Sequence, residues 1–139
     1  VRTGTRSHRL RWLRRSSAQT GRDGELLAVL LYALQGYRIL GRNVRTPVAQ
    51  VDVLCRRGSL LVVVEVKRRR TARYGSALTS LHPRQAERLA RALMCLRSRY
   101  GWARDARVDL VAIDGWRVRI VRNAIDGDTV SRESERFML

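Results

Sequence analysis

The chain has 139 residues and a formal net charge of +17, from 29 basic and 12 acidic side chains. That length makes one domain with a core built around a single sheet. The charge points to a polyanionic partner, nucleic acid ahead of acidic membrane surfaces, with coding bias toward arginine as the competing account.

Residues 1–19 hold Arg2, Arg6, Arg9, Arg11, Arg14 and Arg15 and no acid, with Trp12 and Leu13 as the main apolar content. This reads as a basic flexible arm that grips phosphates nonspecifically, or as a tail without function. No apolar segment of a secretory signal follows it, and the longest nearly apolar run, Leu26 to Leu34, is too short to span a bilayer. Cys55 and Cys95 form no Cys-x-x-Cys or Cys/His cluster with His8 and His82, which argues against a disulfide framework or a zinc cage. A cytoplasmic protein with no membrane partner is expected.

A helix begins at Thr20, which has capping-box spacing with Asp23. Leu26, Leu27, Leu30, Leu31 and Leu34 form its apolar stripe, and Gly36 caps its end. Glu25 lies in the first turns, where the helix dipole alone accounts for an acid. Tyr37 to Leu40 begins a short strand, followed by Gly41 to Arg45 and a turn at Pro47.

Val51-Asp52-Val53-Leu54 and Leu60 to Lys67 are aliphatic runs separated by Cys55 to Ser59, and read as an antiparallel hairpin at the centre of a sheet. Asp52, Glu65 and Lys67 interrupt it, and a charge there is costly unless something pairs it. With Arg57-Gly58 as the turn, position 52 pairs with position 63. Asp52 then shares a face with Glu65 and Lys67 and lies diagonal to Glu65. At a Cα separation of roughly 7–8 Å, two such carboxylates can share one divalent cation with the lysine beside it. Asp52 and Glu65 are the only acids from Leu26 to Ala86, amid eleven basic residues, and Lys67 is the single lysine beside 28 arginines. A chain that uses arginine wherever charge alone is needed points to a need for a compact ammonium at position 67. An exposed Glu/Lys pair on an edge strand is the competing account.

After the hairpin, Arg68, Arg69, Arg70 and Arg73 with Tyr74 form a basic loop, suited to phosphate binding with aromatic stacking or standing as a solvated charge run. Pro83 opens a second helix with Ala86, Leu89, Leu93, Leu96 and Tyr100 on its buried face and Arg84, Arg88, Arg91 and Arg99 mostly off it. Arg107 to Asp114 alternates as a strand, Asp114-Gly115 is a tight turn, and Trp116 to Val121 is the last strand. Asp109 reads as structural. Residues 128–139 are read as a flexible tail. The order α-β-β-β-α-β-β makes residues 20–127 an α/β domain with a mixed sheet flanked by helices.

The segments Gly24-Glu25, Gly36 to Leu40, Asn43-Val44-Arg45, Val51 to Leu54, Leu61 to Lys67, Tyr74-Gly75, Arg84-Gln85, Arg107 to Ile113 and Asn123-Ala124 carry a resemblance. In this order the chain resembles the uncharacterised YraN-type family of small bacterial proteins. That family is related to the restriction-endonuclease-like and Holliday-junction-resolvase-like nucleases with a PD-(D/E)xK site. The resemblance implies a restriction-endonuclease-like sheet, with Asp52 and Glu65 as metal ligands and Lys67 orienting or activating the attacking water. Glu25 would support the metal from the first helix, and Gln85 would add a polar contact from the second. The chain departs from the family pattern at Ala49-Gln50-Val51-Asp52, where Gly-Glu-Ile-Asp is usual, and at Arg84, where a lysine precedes the helix glutamine. On the register above, Gln50 faces Glu65.

The function expected is metal-dependent hydrolysis of phosphodiester bonds in DNA, branched DNA included, or in RNA, with DNA placed first. Mg²⁺ or Mn²⁺ is the expected cofactor, because the ligands are all oxygen. Arg84 joins the basic loop as a nucleic-acid contact, and a homodimer is compatible with this reading. The alternative is a non-catalytic nucleic-acid-binding module that retains the nuclease fold, which Gln50 favours and the sole lysine opposes. A protein-interaction role with charge as a by-product is the third reading.

Overall fold

In a computed structural model, which describes residues 23–69 and 81–125, the aliphatic runs assemble one sheet between two helices. Helix α1 covers residues 23–34. It is followed by β1 (Arg38–Arg45), β2 (Gln50–Arg57), β3 (Leu60–Arg69), α2 (Pro83–Arg99), β4 (Asp105–Asp114) and β5 (Arg117–Val121). The strands lie side by side in chain order, antiparallel except for β3 and β4, which run parallel. A parallel pair requires a long crossover, and α2 lies on that crossover. The mixed α/β order expected from the sequence is the order found. Among the described residues, no helix is long and apolar enough to cross a membrane. The arm at 1–19, Thr20, the side chain of Arg69, Arg70, Arg73, Tyr74 and the tail at 128–139 lie outside the described residues.

The side-chain period of two gives β3 a buried surface on each face. Val62 and Val64 pack with Val53, Cys55, Val111 and Ile113 beneath Ala28 and Tyr32 of α1. Leu61 and Val63 pack on the other face with Leu54 and Val108 beneath Leu89, Ala92 and Leu96 of α2. Asp109, fully buried on the α1 side, accepts from the Tyr32 hydroxyl at 2.7 Å, from Arg107 Nε at 2.9 Å and from the Asn123 backbone N–H at 2.9 Å. Every neighbour satisfies it, which gives the acid a structural role.

Two expectations are corrected. The leucine stripe of α1 meets the core only in part: Leu27 and Leu31 are half-buried, with Leu27 packed on the core, but Leu26, Leu30 and Leu34 are 46%, 58% and 84% exposed, and the buried residues are Ala28 and Tyr32. The helix sets Gly24, Ala28 and Tyr32 against the sheet. A Cβ on Gly24 would meet Val66 Cγ1 at 3.3 Å, and the Tyr32 hydroxyl needs Asp109 as its acceptor. Second, the hairpin turns at Gly58-Ser59, with Arg57 paired to Leu60 and Gly58 at φ +59, rather than at Arg57-Gly58. The register therefore differs by two residues from the one expected. A change of two preserves which side chains share a face.

Candidate active site

The β2–β3 ladder ends at Val53 opposite Val64. One residue further, this register sets Asp52 opposite Glu65 instead of diagonal to it, and the strands no longer pair there. The Asp52 side chain takes over: its Oδ2 accepts the Val66 backbone N–H at 2.8 Å. β3 meanwhile continues alongside β4 as far as Arg69 opposite Asp114. Asp52 thus sits where two strands part, with its carboxyl in hydrogen-bond contact with that of Glu65.

Lys67, two residues along β3 and on the same face, holds its Nζ 3.6 Å from Glu65 Oε1. Gln85, in the first turns of α2, donates from Nε2 to the same oxygen at 2.8 Å. His82 orients that helix end by accepting the Arg84 N–H on Nδ1, and Pro83 supplies its first position. The structure therefore brings together four of the residues expected: Asp52, Glu65, Lys67 and Gln85.

Two carboxyl groups in one half-buried corner cannot both ionise cheaply. Burial, and then the Asp52 carboxylate, push the Glu65 carboxyl up to about 8, with Lys67 opposing them. Burial also raises Asp52, against the Val66 N–H and the Glu65 hydrogen bond, which favour its charged form. Both shifts favour one proton shared by the pair near neutrality in the absence of a cation.

Glu25 reaches the rim of this corner from α1. Its Oε2 accepts from Asn43 Nδ2 at 3.1 Å and lies 3.6 Å from Arg42, and its charge acts on Asp52 without direct contact. Gln50 does not face Glu65; its Nε2 donates to Asn43 Oδ1 at 3.2 Å. That is a second consequence of the corrected register. Asn43 thus joins β1, Glu25 and Gln50, a role not anticipated from the sequence. Its φ of +49 is the signal that marks it, since asparagine tolerates the left-handed region that most residues avoid. Arg68 alternates onto the α1 face, where its Cδ would lie 3.9 Å from a Cβ on Gly24, away from the carboxylates. Arg84 borders a groove of about 470 Å³ between the β1–β2 turn and the start of α2, which also takes in Gln50, Gln85 and Arg88.

Asp52 and Glu65 are the two carboxylates that could hold a metal at this corner. Among the described residues, no group of three or more His, Cys, Asp or Glu side chains could enclose one. This donor set fits a hard cation that binds through one or two carboxylates and completes its shell with water and phosphate oxygens, which is the habit of Mg²⁺. The same pair suits neither a closed zinc cage nor a thiolate site.

The signature of the uncharacterised protein family UPF0102 matches residues 24–113, from the start of α1 almost to the end of β4. The chain is 41% identical over 100 residues to a UPF0102 protein of Caulobacter vibrioides, covering 70% of this chain and 78% of that one. It is 44% identical over 95 residues to one of Parvibaculum lavamentivorans, covering 67% and 70%. For one of Acidiphilium cryptum, the identity is 37% over 117 residues, covering 83% and 90%. The matched span holds Glu25, Asp52, Glu65, Lys67 and Gln85 together, and the chain belongs to the uncharacterised protein family UPF0102.

Proposed function

We propose that the protein is a metal-dependent nuclease of the PD-(D/E)xK kind, hydrolysing phosphodiester bonds in DNA, or in RNA. One observation carries this reading. Asp52 and Glu65 are held carboxyl to carboxyl where β2 and β3 separate, with the chain's only lysine 3.6 Å from Glu65. A buried carboxyl pair that keeps a proton near neutrality costs stability, and a cation that both groups can ligate removes that cost.

When bound, Mg²⁺ or Mn²⁺ would polarise a phosphoryl oxygen and lower the pKa of an attached water. Lys67 holds positive charge beside Glu65, where it steadies the attacking water or the charge building on the phosphoryl oxygens. Gln85 fixes the rotamer of Glu65 through its 2.8 Å hydrogen bond, so the carboxylate is aimed before substrate arrives. Glu25 adds negative potential from the rim. The net charge of +17 supplies long-range attraction for a polyanionic substrate.

The test is incubation of the purified protein with linear, flapped and branched DNA and with RNA, with Mg²⁺ or Mn²⁺ beside an EDTA control. Cation-dependent cleavage that disappears in Asp52→Asn and Glu65→Gln supports the assignment. Tight, salt-sensitive binding with no cleavage under any cation would instead support a binding module that retains the nuclease fold. The contact of Gln50 with Asn43 favours that second reading, because it leaves the corner with two directly opposed carboxyl groups rather than three.

A further inference from the structure

The groove beside Gln85 has a composition that the hydrolytic corner does not use. Arg84 and Arg88 stand one helical turn apart on α2 and both line it. Among the described residues neither has a carboxylate partner, whereas Arg91 on the same helix is matched with Glu87 at 2.8 Å. Like charges at this spacing repel, so an anion between them is stabilising. The floor is apolar at the buried Leu89, with half-buried Ala49 and exposed Val48 beside it. The amides of Gln50 and Gln85 and the His82 ring complete the lining.

A site for phosphate alone has no use for an apolar floor, and a site for an apolar ligand has none for two guanidinium groups. Both together, with amides between them, match one nucleotide: base or sugar on the floor, base edge to an amide, phosphate to the arginines. The volume of about 470 Å³ has room for one nucleoside. Gln85 also donates to Glu65 at 2.8 Å, so a nucleotide in the groove lies one side chain away from the carboxyl pair.

We infer that this groove takes one unpaired nucleotide of a flapped, branched or single-stranded nucleic acid, next to the phosphodiester presented to Asp52 and Glu65. The inference rests on the nuclease reading for the second half of that statement and on the groove alone for the first. A base inside a continuous duplex is paired and stacked and reaches such a pocket only by extrusion, whereas a base at a flap or branch enters without that cost. The substrate class is therefore a strand with an unpaired residue beside the cleaved bond.

The experiment is fluorescence anisotropy with the full chain in EDTA, using a blunt DNA duplex and the same duplex carrying a single-stranded flap. Wild type is expected to prefer the flapped probe by about tenfold or more. Val48→Trp, which fills the groove from a position 37% exposed, should bring the two probes to within about twofold. The double variant Arg84→Ala with Arg88→Ala should do the same without adding bulk, and thermal melts check that each variant is folded. Asp52→Asn with Glu65→Gln should keep the preference. Equal affinity of wild type for both probes, or an intact flap preference in folded groove variants, would overturn the inference. Loss of the preference in the carboxyl variant alone would assign it to the carboxyl corner and overturn it too. A retained flap preference with no cleavage under any cation would sink the nuclease reading while supporting the groove.

Discussion

Glu65→Gln is the most informative single substitution, because the carboxyl pair predicts that removing one ionisable group stabilises the fold. In the unfolded chain a glutamate titrates near ~4.3. In the folded protein burial, followed by Asp52, lifts Glu65 to about 8. Between those values the native state binds a proton that the unfolded state does not, so cation-free stability falls as pH rises through this window and levels off above it. Each unit corresponds to about 1.4 kcal/mol, so at about pH 7 the wild type loses roughly 4 kcal/mol to this proton, and at about pH 5 roughly 1 kcal/mol. Glutamine keeps the geometry: its oxygen accepts from Gln85 and its amide donates to Asp52, as the protonated acid does. The variant should therefore be more stable than wild type by up to roughly 4 kcal/mol at about pH 7, with the gap closing toward about pH 5. Urea unfolding in EDTA across this range measures it. Parallel pH profiles for the two proteins, or a variant less stable than wild type at neutral pH, would refute the reasoning. Mg²⁺ or Mn²⁺ competes with the proton, so it should raise the wild-type Tm more above pH ~8 than at neutrality, and should not shift Asp52→Asn with Glu65→Gln.

Lys67→Arg preserves charge but replaces a compact ammonium with a bulkier planar group. It should lower the single-turnover cleavage rate by about 10² or more while affinity stays near wild type, and rates within a few-fold would remove Lys67 from the chemistry. Deleting residues 1–19 removes six arginines, and should weaken nucleic-acid binding and flatten its salt dependence while leaving the Tm nearly unchanged. A large loss of Tm would show instead that Trp12 and Leu13 contribute to the fold. Tyr32→Phe takes one donor from the fully buried Asp109 and should cost about 1–3 kcal/mol in chemical denaturation, with cleavage intact. A loss under ~0.5 kcal/mol would mean that Arg107 and the Asn123 N–H satisfy Asp109 without it.

The sequence by itself determined the order of elements, because aliphatic runs of strand length alternate with helical periodicity and are punctuated by Gly36, Pro47, Gly58 and Pro83. It also determined that Asp52, Glu65 and Lys67 share a face. That conclusion survived a two-residue change of hairpin register because the side-chain period of a strand is two. The register itself was not legible, since Arg57-Gly58 and Gly58-Ser59 both have turn chemistry and a two-residue change leaves the polarity of each face unaltered. With it went the neighbour of Gln50, which meets Asn43 rather than Glu65. The face of α1 was misjudged for a related reason. Periodicity finds an apolar stripe, but which stripe is buried depends on how near the sheet lies and on what waits there. In this fold Gly24 allows a close approach, and Tyr32 finds its acceptor 77 residues away in Asp109. The groove between Gln50 and Arg88 likewise exists only because a strand turn and a distant helix end meet. Local pattern carries the period and polarity of each segment, whereas contact between segments far apart in the chain is decided by complementary shape and hydrogen-bonding need, which no window of neighbouring residues contains.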